Sequence, residues 1–182
     1  MNIPNILTSL RILLIPCLVI VYYLPYKWSY LAAASIFALA AITDWFDGYL
    51  ARKLNQSTAF GAFLDPVADK LMVAVALIML VETYADIYVT LPAAIIVGRE
   101  IVISALREWM AELGKRASVA VSMIGKIKTA LQMLSIFVLL LAEPHTELAY
   151  VGLGALYGAA VLTLWSMWIY LRASWDDLVQ DI

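Results

Sequence analysis

Thr43-Asp44-Trp45-Phe46-Asp47-Gly48-Tyr49-Leu50-Ala51-Arg52 and, after an eight-residue interval, Gly61-Ala62-Phe63-Leu64-Asp65-Pro66-Val67-Ala68-Asp69-Lys70 set four carboxylates within 26 residues of an otherwise apolar stretch. Asp44 and Asp47 stand three apart, and Asp65 and Asp69 four apart, so each pair falls on one face of a helix. The interval between the pairs is short, which makes the two helices antiparallel neighbours. Turned toward each other, their acidic faces enclose one pocket. Like charges that close are driven to protonate unless cations neutralise them. Oxygen ligands without His or Cys suit Mg²⁺, Mn²⁺ or Ca²⁺ rather than zinc, and a two-metal site bridging a pyrophosphate is the chemically sensible use. Helix capping, or pairing with Arg52, Lys53 and Lys70, accounts for one or two of these aspartates but not for a matched pair on each helix.

The surroundings explain why such charges are notable. The chain has 182 residues, of which 64% are hydrophobic and only 14% charged. A soluble domain is about half apolar and about a quarter charged, so the bilayer is the expected solvent for most side chains. Ionisable groups at membrane depth are costly and point to function. The net charge of -2 gives no reason to expect a nucleic-acid partner. Cys17 is the single cysteine and lies in an apolar run, which suggests a buried, inert thiol.

A spanning helix needs about 20 mostly apolar residues. Runs near residues 8–24, 30–50, 62–82, 89–110, 120–142 and 148–171 meet that need, so the expected fold is all-α and integral to the membrane, with six transmembrane helices. Residues 1–182 are read as a single transmembrane domain. Met1 to Ser9 suit a short amphipathic helix along the interface before the first span. The opening lacks the charged start and small-residue cleavage site of a signal peptide, so the first span is expected to be retained. Arg52 with Lys53, Lys115 with Arg116, and Arg172 fall on alternate connections and the C-terminal tail. The opposite connections carry Lys27, Glu82, Asp86, Glu143 and Glu147. The positive-inside rule then puts both termini, and the acidic pocket, on the cytoplasmic side, with Lys27 as the exception. Trp28, Tyr30, Tyr84, Tyr88 and Tyr150 suit an aromatic belt at the interfaces.

Gly48 and Gly61 each cost a helix interior roughly 1 kcal/mol relative to Ala. Beside Asp47 and Asp65, and with Ala51 one turn on, they allow a ligand close to the backbone, although plain helix–helix packing competes as their role. His145 follows Pro144 on an outer connection, far from the aspartates, and the tail with Asp176, Asp177 and Asp181 reads as solvated.

Asp44-x-x-Asp47-Gly48-x-x-Ala51-Arg52, eight residues, then Gly61-x-x-x-Asp65-x-x-x-Asp69 resembles the signature of the CDP-alcohol phosphatidyltransferase family at every fixed position. The resemblance continues through Asn2 to Arg11, Arg99 to Arg116, and Lys126-Ile127-Lys128-Thr129, and is nearest to the bacterial members whose acceptor is sn-glycerol 3-phosphate. It implies two Mg²⁺ or Mn²⁺ ions held by Asp44, Asp47, Asp65 and Asp69 under the pyrophosphate of CDP-diacylglycerol. It also implies nucleotide binding near Gly48, Ala51, Arg52 and Gly61, with Asp69 as general base. A dianionic acceptor requires further cations, for which Arg107, Lys126, Lys128 and Arg99 are the candidates. Pairing with Glu100, Glu108 or Glu112, or snorkelling to headgroups, competes for the same side chains. The resemblance further implies a bacterial inner-membrane enzyme of phospholipid biosynthesis and a homodimer, for which the apolar faces of the third and fourth spans would serve. Serine, inositol-type alcohols and phosphatidylglycerol are alternative acceptors that the signature does not separate. An Asp-rich prenyltransferase is expected to have more spans and different Asp spacing. A small ion transporter is expected to carry midplane carboxylates and inverted repeats, neither of which is seen here.

Overall fold

Six helices make up the secondary structure of the described residues, in the order α1 (Ile3–Tyr22), α2 (Ser29–Leu54), α3 (Ala59–Tyr84), α4 (Ile87–Glu112), α5 (Met123–Leu141) and α6 (Glu147–Ala173). The computed structural model describes residues 3–54, 59–112, 123–173 and 175; within the helices, the side chains of residues 3–6, 45, 47–54, 59–60, 62, 123–124 and 173 lie outside the description. One helix falls on each of the six expected apolar runs. No strand occurs among the described residues, as expected where backbone groups must be satisfied within their own segment.

Short connections make successive helices antiparallel, and their ends are set by local chemistry. Ala85 ends α3 in the left-handed region at φ 45°, its N–H donating to Val81 O at 3.0 Å. The next residue, Asp86, caps α4 by accepting the Tyr88 N–H at 3.0 Å. Thr146 caps α6 in the same way through the Ala149 N–H at 3.3 Å. At the far end of α5 the Tyr84 hydroxyl sits between the Leu139 and Ala142 carbonyls, at 3.1 and 3.3 Å.

The core is large-on-small. Leu18, Phe37, Leu77, Leu80, Leu139 and Leu156 are fully buried beside Ala33, Ala34, Ala76 and Ala159, whose short side chains let backbones approach. α5 packs most extensively on α6 and α1 on α2. At Gly152 of α6 an added Cβ would lie 2.9 Å from Leu139 of α5, so that contact requires glycine.

Three expectations change. The segment before the first span is no separate helix, since α1 runs unbroken from Ile3; the apolar pattern continues through Ile6 and Leu7 without a break. Cys17 is exposed on the outside of α1 rather than buried, because a lipid-facing helix has two apolar faces and burial does not follow from apolarity. Tyr84 is buried and serves the α5 carbonyls, so it is no belt residue. Among the described residues, Ile87–Glu112 and Glu147–Arg172 are long and apolar enough to cross a membrane; Leu7–Tyr22 and Ser29–Asp44 are shorter apolar stretches.

Candidate active site

The polar side chains gather at the end of the bundle where α1, α3 and α5 begin and α2, α4 and α6 finish. On α1, Thr8 and Arg11 lie three apart and share a face. Both are buried, at 0% and 1% exposure. The Thr8 hydroxyl donates to the Asp65 carboxylate and the Arg11 guanidinium pairs with Asp44. Asp44 retains 43% side-chain exposure. Asp69 joins Arg11 and Asp44 around a small cavity walled by Phe37, Met72 and Met133. Helices α1, α2 and α3 thus bring three aspartates to one end, each within reach of α1 or of its partners.

Asp69 also faces a second, larger cavity of about 370 Å³ between α3, α4 and α5. Small-ligand sites run from roughly 300 to 1,000 Å³. Lys70, Arg99, Arg107 and Lys128 line it with Asp69, Glu100, Thr129 and Gln132. Glu100 organises the cations: its Oε1 accepts from Lys128 Nζ at 2.7 Å and from Arg99 Nη1 at 3.1 Å. Arg99 Nη2 donates to Ser166 Oγ of α6 at 3.2 Å, and Lys70 donates to Ser104. Arg107 stacks over the Tyr170 ring, 5.3 Å from its centroid. Four basic side chains against two carboxylates leave the cavity net positive and suited to an anion.

The structure distributes the expected residues unevenly. Arg99, Arg107 and Lys128 line the cavity beside Asp69; Lys126 is exposed and is not among its lining residues. The expected pairing of Arg99 and Lys128 with Glu100 is present and coexists with their place in the cavity wall. Gly61 is buried in the first turn of α3. Gly48, Ala51 and Arg52 occupy the last turns of α2, and their side chains, like that of Asp47, lie outside the described residues. Lys70, Glu100, Thr129 and Gln132 are not among the expected site residues, although Lys70 and Glu100 are expected as ion-pair partners. On α5 the signal is the one-turn spacing of Lys128 and Gln132. Thr8 and Arg11 fall within the Asn2 to Arg11 stretch that carries part of the resemblance.

As a metal site the donor set is chemically apt: carboxylates, with no competing nitrogen or sulfur ligand. Among the described residues no three His, Cys, Asp or Glu side chains converge on one point. Asp44 and Asp69 are the nearest approach, sharing a cavity wall, and Arg11 supplies positive charge there. The carboxylates of Asp44, Asp65 and Asp69 fit a divalent ion by donor chemistry and would be the residues to hold it.

A family model described as CDP-alcohol phosphatidyltransferase matches residues 1–171. Curated relatives agree over nearly the whole chain. Proteins named CDP-diacylglycerol–glycerol-3-phosphate 3-phosphatidyltransferase from Shigella flexneri serotype 5b (strain 8401) and Escherichia coli (strain K12) are each 60% identical over 180 residues, covering 99% of this chain and 98% of their own. The protein of that name from Salmonella choleraesuis (strain SC-B67) is 59% identical over the same span.

Proposed function

The chain belongs to the CDP-alcohol phosphatidyltransferase family, and from that premise we propose that it transfers the phosphatidyl group of CDP-diacylglycerol to sn-glycerol 3-phosphate. The products are phosphatidylglycerophosphate and CMP. The observation that carries the reading is the cavity in which Asp69 meets Lys70, Arg99, Arg107 and Lys128. A base and an anion site within one small-ligand volume suit an acceptor bearing both a hydroxyl and a phosphate.

The chain's own residues divide the work. Lys128, Arg99 and Arg107, with Lys70, hold the acceptor phosphate. Asp69 takes the proton of the attacking hydroxyl, a contribution of about 10² to 10⁴ in rate. The hydroxyl oxygen bonds to the phosphatidyl phosphorus, the bond from that phosphorus to the CMP oxygen breaks, and CMP leaves with the electron pair. The family is generally divalent-metal dependent. Two Mg²⁺ or Mn²⁺ ions on Asp44, Asp47, Asp65 and Asp69 would supply charge stabilisation at the pyrophosphate. Gly48, Ala51, Arg52 and Gly61 are assigned to the nucleotide, being carried to this end by the α2–α3 hairpin.

The whole of residues 1–182 is taken as one domain of six spans in the bacterial inner membrane, both termini and the site facing the cytoplasm. Large apolar side chains on the outside, such as Leu13, Ile20, Ile78, Ile101 and Val161, support immersion. The apolar outer faces of α3 and α4 are the proposed homodimer contact.

The test is CMP release by detergent-purified protein given CDP-diacylglycerol and Mg²⁺, with glycerol 3-phosphate, serine, inositol or phosphatidylglycerol as acceptor. Release that requires glycerol 3-phosphate, disappears with EDTA and collapses in Asp69→Asn is expected. Release with a different alcohol alone would retain the chemistry and refute the acceptor.

A further inference from the structure

Among the described residues, Gln132 Oε1 and Arg99 Nε are buried without a hydrogen-bond partner, and both residues line the 370 Å³ cavity. Gln132 is only 4% exposed, so bulk water does not reach its oxygen. Buried polar groups are nearly always paired, and one left unpaired calls for an explanation. Among the described residues, the hydrogen bonds of the neighbouring donors go elsewhere: Lys128 Nζ and Arg99 Nη1 donate to Glu100, Arg99 Nη2 to Ser166, and the Thr129 hydroxyl to Gly125 O at 3.0 Å. A hydroxyl brought into the cavity would supply a donor to Gln132.

The two orphans are of opposite sense. Arg99 Nε lacks an acceptor and Gln132 Oε1 lacks a donor. A molecule carrying an anionic oxygen and a hydroxyl satisfies both at once. Gln132 follows Lys128 by one turn on the cavity face of α5, farther from the helix start, so the hydroxyl is read deeper than the first cation.

We propose that Gln132 is a specificity-determining residue, its amide oxygen accepting a hydrogen bond from a second acceptor hydroxyl, one that is neither esterified nor attacking. The inference rests on the proposed function and deepens it. In sn-glycerol 3-phosphate the phosphate goes to the cations, the primary hydroxyl to Asp69, and the secondary hydroxyl to Gln132. The cavity thus selects a phosphorylated polyol over a phosphorylated simple alcohol, because the latter leaves the amide buried and unpaired.

The experiment compares sn-glycerol 3-phosphate with 3-hydroxypropyl phosphate, which keeps the phosphate and primary hydroxyl and lacks only the secondary one. CMP release from CDP-diacylglycerol with Mg²⁺ gives kcat/KM for each. The unaltered protein is expected to prefer the natural acceptor by at least about 10²-fold. Gln132→Met, close in length and apolar, is expected to bring the ratio within about threefold of unity by slowing glycerol 3-phosphate alone. The KM for CDP-diacylglycerol should stay as it was. An unaltered protein that uses both acceptors equally overturns the proposal whatever the variant does. So does a variant that slows both equally, since that is the mark of a structural role. Release by the unaltered protein with neither phosphate, but with another alcohol, refutes the reaction reading itself and is distinguishable from both.

Discussion

Arg11 is a guanidinium with 1% exposure, the one charged residue of α1, and its visible partner is the Asp44 carboxylate. Removing one member of a buried charged pair leaves the other uncompensated. Arg11→Met is therefore expected to lower stability by about 2–3 kcal/mol, read as the melting transition in detergent, even with EDTA present. Lys128 is held differently, shared with Arg99 on one oxygen of Glu100. Lys128→Met should raise the KM for glycerol 3-phosphate at least about tenfold, with that for CDP-diacylglycerol unchanged, as expected for loss of one charge-assisted contact to a single substrate. An equal rise for both substrates would place Lys128 elsewhere. The aspartates were legible because spacing alone puts Asp65 and Asp69 on one face. Glu100 was legible only as a pairing partner; its place in the cavity depends on Lys128, 28 residues away on α5, a relation that no local pattern encodes.

The helices were legible almost entirely, since one falls on each long apolar run of the sequence. What escaped was which face each helix buries: from Ile12 to Val21 α1 is apolar all round, so Cys17 and Leu18, adjacent in sequence, come out exposed and fully buried. The ends of the elements follow capping rules and can be tested singly. Asp86→Ala removes the N-cap of α4 and should cost about 1 kcal/mol, seen as a lower melting temperature without change in KM. The α5–α6 seam is closer. Val at position 152 would press on Leu139 and Val138, whose carbons already stand 2.9–3.0 Å from where a Cβ would be. Gly152→Val should destabilise by about 1–3 kcal/mol, and a neutral result would mean that the seam is looser than drawn.

At the scale of the molecule, the two ends differ. Trp165, Trp168 and Trp175 are exposed at the charged end, and Tyr26, Trp28, Tyr88 and Tyr150 at the other, the arrangement of two aromatic belts about an apolar waist. With Cys17 as the only thiol, insertion can be read directly. In sealed inverted vesicles, Cys17 should resist a membrane-impermeant maleimide despite its exposure. On a Cys17→Ala background, Arg172→Cys should label from outside those vesicles and Glu143→Cys only after they are opened. Labelling of both from one side would overturn the alternating arrangement. The second cavity was not legible in the sequence, since it exists only once α3, α4 and α5 are packed together.

The two-residue link between α3 and α4, Ala85 and Asp86, ties Asp69 and Glu100 to one stiff hairpin whose bend lies at the far surface. Like the arms of tweezers joined at the handle, the arms can open and close at their tips only by a small angle, and any splaying there widens the base-to-cation gap in proportion to its distance from the joint. A compound that wedges itself at the handle, without entering the cavity, would thereby change the spacing at the tips.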